Sequence, residues 1–83
     1  MGAIGKQRVK FTFPTGLVPR PIIYELGQKF LVVTNIRRAD VREDMGWVVL
    51  ELEGDDAEIA RGIDWVGSLG VRIDPVAGDI IDG

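Results

Sequence analysis

Two stretches of strict two-residue alternation, set among segments that repeat every three to four residues, restrict this chain to a small set of folds. In Arg8-Val9-Lys10-Phe11-Thr12-Phe13, the residues Val9, Phe11 and Phe13 share one face and Arg8, Lys10 and Thr12 share the other. That is the pattern of a half-buried strand. From Trp47 to Glu53, Val48, Leu50 and Leu52 alternate in the same way with Trp47, Val49, Glu51 and Glu53, which predicts a second strand of that kind.

Between these two strands the period changes twice. Pro14, Gly16, Pro19 and Pro21 predict a loop, and Pro21 suits the first turn of a helix, where its missing N–H has no partner to lose. Ile22, Leu26 and Phe30 at spacing four, with Ile23 beside them, form the apolar stripe of a short helix. From Leu31 to Arg42 β-branched residues return, but Val32, Thr34 and Ile36 share one parity while Ala39 and Val41 share the other. A bulge near Arg37-Arg38 brings Ile36, Ala39 and Val41 back to one face. Glu43-Asp44-Met45-Gly46 then reads as a hairpin connection.

After the Trp47 strand, Asp55 and Glu58 have the spacing of a capping box, and Ile59, Ile63, Val66 and Leu69 form the inner stripe of a second helix. Gly70 suits the C′ position, where positive φ is needed. Val71-Arg72-Ile73 is a short fourth strand before Pro75, and Ile80-Ile81 in the acidic tail add a strand if something pairs with them. The order is β-α-β-β-α-β. With right-handed crossovers it predicts an α+β fold, the ferredoxin-like split sandwich, with a four-stranded antiparallel sheet and both helices on one face.

Eighty-three residues make one domain, burying about 60 to 65% of the surface of the unfolded chain. Residues 1–83 are read as a single unit, with a structured core over about 7–74 and an acidic tail over 75–83. Apolar residues at 46% and charged residues at 28% are a globular composition. With no cysteine and no histidine, disulfides and the usual zinc, haem and iron-sulfur ligand sets lack their donors, as do Ser-His and Cys-His nucleophile pairs. No metal, cofactor or catalytic residue is expected. No apolar run reaches the roughly 20 residues of a membrane span and Met1 to Lys10 has no signal-peptide core, so a cytoplasmic location without membrane insertion is expected.

Charge is divided along the chain. Met1 to Arg42 holds eight basic and two acidic residues, net +6, whereas Glu43 to Gly83 holds two and eleven, net −9, giving the total of −3. The division fits complementary strands within the fold or across a dimer, and it equally fits solvated faces.

Two helices leave one face of the sheet open. By parity, Arg8, Lys10, Thr12, Val33, Asn35, Trp47, Val49 and Glu51 point to it. Trp47 and Val49 beside Val33 suggest an interface, with Lys10 and Thr12 next to them, although scattered surface hydrophobes are also ordinary. Mid-strand asparagine is disfavoured on a pleated surface. Two readings of Asn35 stand: its amide satisfies the bulge, or it holds the α-amino or α-carboxylate group of a small ligand.

Thr12-Phe13-Pro14, Pro21-Ile22-Ile23-Tyr24, Thr34 to Val41, Gly46 to Gly54 and Ala60 to Trp65 together resemble the NIL domain, over about residues 7 to 74. The name comes from an Asn-Ile-Leu signature, matched here by Asn35-Ile36-Arg37. The resemblance implies a ferredoxin-like fold, found at the C-terminus of methionine-importer ATPase subunits, fused to iron-sulfur ferredoxin modules, or free-standing. It implies methionine binding at a sheet-mediated dimer interface, with Asn35 at the ligand and Ile36 as its core-facing neighbour. Arg37 departs from the signature's leucine. It would suit a carboxylate but spoil a thioether pocket, or it points to solvent at the bulge.

Three functions follow as expectations. The first is a sensor of an amino acid, methionine or a sulfur relative, at a homodimer interface, with Asn35, Ile36, Arg37, Val33 and Val49 at the ligand. The second is a ligand-free module that docks onto a ferredoxin or an ABC-transporter ATPase. The third is acylphosphatase-like, casting Arg20 and Asn35 as phosphate and water ligands, but Thr15 to Arg20 lacks the glycine-rich phosphate cradle and its prolines remove backbone donors. Strand one lacks the outward aromatics of an RNA-recognition surface, and no phosphate-binding glycine motif is present, so neither nucleic acid nor ATP hydrolysis is expected of this chain.

Overall fold

The structure, a computed structural model, describes residues 4–76. In chain order it comprises β1 (Ile4–Phe13), a 3-10 turn (Thr15–Leu17), α1 (Ile22–Lys29), β2 (Val32–Val41), β3 (Gly46–Asp55), α2 (Asp56–Ser68) and β4 (Arg72–Pro75). The four strands form one sheet in the order β2-β3-β1-β4. Every neighbouring pair is antiparallel, and the molecule is 16 Å thick along its short axis. This is the expected ferredoxin-like α+β sandwich. The tail option at Ile80-Ile81 lies outside the described residues.

The two alternating segments lie side by side, with Val9 opposite Leu50 and Phe11 opposite Val48. Their inward residues are buried with Leu52 of β3, Ile22 and Leu26 of α1, and Ile59 and Val66 of α2. Each such side chain stabilises the fold by about 1.5–3 kcal/mol relative to exposure. Among the described residues no polar or charged side chain is buried. Gly62 of α2 is buried against α1, and a Cβ there would lie 2.8 Å from Leu26 Cδ1.

Several boundaries differ from the sequence reading. β1 starts at Ile4 rather than Arg8, because β3 is long enough to pair with it down to Asp55. β4 includes Pro75 instead of stopping before it. β4 is an edge strand, where a residue without N–H is tolerated. Gly70 takes the C′ conformation at φ +103°. Asp55 caps α2 by accepting from the Ala57 N–H at 3.0 Å. Glu58, however, does not close a capping box. Asp55 is still paired opposite Ile4 in the sheet, and Glu58 turns to accept from the Leu31 N–H at 2.9 Å.

Candidate functional site

The bulge in β2 determines where the side chains from Arg37 to Val41 point. Ile36 lies opposite Leu50 and Arg38 opposite Val49, so Arg37 is the additional residue. Beyond it Ala39 faces Val48 and Val41 faces Gly46. Ile36, Ala39 and Val41 therefore share the helix side of the sheet, as the break in parity implied.

On the open side, the register sets four rows across the sheet. Val33 lies opposite Glu53, which lies opposite Lys6; Asn35 is linked in the same way through Glu51 to Arg8. Arg38 leads through Val49 and Lys10 to Asp74, and Asp40 through Trp47 and Thr12 to Arg72. Trp47, Val49, Lys10 and Thr12 are thus neighbours, but Trp47 and Val49 are only half-exposed. The Lys10 ammonium sits 5.1 Å from the centre of the Trp47 ring, a cation–π contact. Arg8 and Glu51 pair at 3.5 Å beside them. The apolar centre of this face is therefore covered by long charged side chains.

Asn35 is exposed on this side. Its amide makes no hydrogen bond among the described residues, so it does not satisfy the bulge. Val33, two residues away, is 65% exposed. Ile36 points to the opposite side of the sheet from Asn35, and Arg37 projects from the bulge, exposed. Asn35, Val33 and Val49 are brought onto one face, and Ile36 is not.

The helix side holds a feature that sequence reading missed. An apolar groove runs between β2 and α1, with Ile36, Ala39 and Val41 on one wall, Ile23 and Val18 on the other, and Phe13 and Val48 as its floor. Its volume is about 230 Å³. Ile36 and Val41 remain 55% and 58% exposed although they face the helix layer. Length explains the gap: an eight-residue helix spans about 12 Å, whereas a ten-residue strand spans about 33 Å. That mismatch is the signal that could have found the groove.

Arg20 stands at the rim of the groove. Its Nε and Nη2 donate to Glu25 Oε2 and Oε1 at 3.0 and 2.8 Å. These hydrogen bonds hold the Glu25 carboxyl below its ordinary value and raise Arg20. Arg20 and Asn35 lie on opposite sides of the sheet, so the two cannot grip one phosphate, as the acylphosphatase-like reading requires. Among the described residues no cluster of three or more metal-ligating side chains occurs, and no helix is long and apolar enough to cross a membrane.

Comparison with known proteins agrees with this architecture. The family model described as NIL domain matches residues 7–75. Among solved structures, the chain is similar to the C-terminal domain of an ABC transporter ATP-binding protein from Enterococcus faecalis, at 19% identity and a TM-score of 0.75. The match covers 88% of this chain and 86% of that one, and at this identity it speaks for the fold alone. No curated protein matches.

Proposed function

Given that the chain belongs to the NIL domain family, we propose that it is a non-catalytic regulatory module that binds a small amino acid, methionine or a sulfur relative, on the open face of its sheet. The observation that carries this reading is the Asn35 side chain, an exposed amide with no partner among the described residues, set beside exposed Val33. An amide offers one acceptor and two donors, the complement of an α-amino and an α-carboxylate group. Arg37 adds a guanidinium for the carboxylate, and Val33 and Val49 add apolar contact. Ile36, on the other face, enters only by fixing the strand opposite Leu50.

A second copy, placed sheet to sheet, closes the site from above. Trp47, Val49, Lys10 and Thr12 form the centre of that homodimer contact. The similarity to a domain of an ABC transporter ATP-binding protein supports an ATPase as the molecule regulated, on the cytoplasmic side.

Titration with L-methionine, followed by amide chemical shifts and sedimentation, tests the proposal. Shifts at Val33, Asn35, Arg37 and Val49 are expected, with tightening of the dimer read from sedimentation and from Lys10, Thr12 and Trp47. Asn35→Ala, which removes hydrogen bonds to charged groups, weakens binding by about 10- to 100-fold. A spectrum unmoved by millimolar methionine would refute the ligand. It would favour the second reading, docking of the bare open face onto a transporter ATPase or a ferredoxin.

A further inference from the structure

The exposed hydrophobic side chains are not spread evenly over the molecule. Of the seven large ones among the described residues, Val33, Ile36 and Val41 lie on β2, Leu31 directly precedes it and Met45 lies in the β2–β3 connection, while Tyr24 lies on α1, whose Ile23 walls the groove, and Ile4 begins β1. β2 is also an edge of the sheet, so among the described residues one side of its backbone has no strand partner. A long edge strand with apolar side chains is a template for pairing with another chain.

The arginines add a second, independent observation. Five of the seven meet a carboxylate: Arg8 with Glu51, Arg20 with Glu25, Arg42 with Asp40, Arg61 with Glu58 and Arg72 with Asp74. Arg37 and Arg38 at the bulge are both exposed and have no carboxylate partner among the described residues. The one acid of β2, Asp40, is already held by Arg42.

We infer that the bulged half of β2, from Ile36 to Val41, receives an extended segment of another polypeptide whose residues alternate between apolar and acidic. An added strand has two faces, as β2 has. Its apolar residues would fall beside Ile36, Ala39 and Val41 and complete the open wall of the groove, while its acidic residues would meet Arg38 and Arg37. A phosphate ligand would use the arginines and leave the groove empty. A second copy paired about the bulge would set Arg37 and Arg38 against the same two residues of its partner. The surface shares Arg37 with the proposed Asn35 site but takes its apolar contacts on the helix side of the sheet, and the inference does not depend on that reading.

Two labelled heptapeptides test it on the full chain, one alternating Glu with Val and one alternating Lys with Val. The Glu–Val peptide is expected to bind about tenfold more tightly, the sum of two or three exposed ion pairs, and to slow amide exchange within residues 36–41. Ile36→Glu weakens it, and the double variant Arg37→Glu/Arg38→Glu reverses the preference between peptides. All three substituted positions are exposed, and circular dichroism confirms the fold of each variant. Equal binding of both peptides, absence of exchange protection at 36–41, or edge amides already protected by self-association in sedimentation each overturn the inference.

Discussion

Glu25 and Arg20 illustrate what a single pair can and cannot do here. The bidentate hydrogen bonds keep the Glu25 carboxyl ionised to lower pH than in the unfolded chain. Its stabilising effect is therefore present above the unfolded value and is lost as pH falls through the lowered folded value. The pair is solvent-exposed, so its net contribution is small. Carboxyl carbon shifts followed by NMR should show Glu25 titrating at lower pH in the native chain than in Arg20→Ala. Equal midpoints would remove the pair from the account. At this scale the sequence was legible where chemistry is local. Gly70 could be assigned because a C′ residue needs positive φ, and the Asp55 cap because it bonds two residues onward. Glu58 could not, because its true partner, Leu31, is 27 residues away.

The bulge in β2 belongs to the next scale. Its existence followed from the break in parity, since Val32, Thr34 and Ile36 can share a face with Ala39 and Val41 only if one residue is left over. Deleting Arg37 restores strict alternation. The deletion should leave Ile36 opposite Leu50 and Arg38 opposite Val49, as read from amide connectivities. A straighter, regular edge is more open to pairing, so sedimentation should show more self-association than in the parent chain. A deletion variant that unfolds, or that stays as monomeric as the parent, contradicts this role for the bulge. α1 carries a different lesson. Its stripe of Ile22 and Leu26 was readable from spacing, but its failure to cover Ile36 and Val41 depends on its length relative to the strands behind it. The helix contact at Gly62 is of the same kind. Gly62→Val should cost about 1–3 kcal/mol in urea unfolding, because Leu26 must move to admit the side chain.

For the whole molecule, the division of charge along the chain becomes pairing across the sheet. Basic β1 lies against acidic β3, with Lys6 opposite Glu53 and Arg8 opposite Glu51. The fold so brings the two halves of opposite sign together. Stability rests on the shared apolar layer between sheet and helices, centred on Phe11, Leu50 and Leu52. A domain of 83 residues has about 4–12 kcal/mol in total, and Leu50→Ala should cost about 2–5 kcal/mol. Urea denaturation should therefore find that variant close to unfolding. A change below 1 kcal/mol would mean that the core is not centred where the structure has it.

Element order, strand parity, the presence of the bulge and the inward residues were determined by the sequence alone, because each follows from periodicity within a few residues of chain. Which hydrophobic surface stays uncovered was decided only in three dimensions. By parity Trp47 and Val49 are outward and Ile36 and Val41 inward, yet Lys10 shields the first pair and no helix reaches the second. Cover depends on the lengths of elements and the reach of side chains from distant strands, and neither is written in the alternation of a single strand.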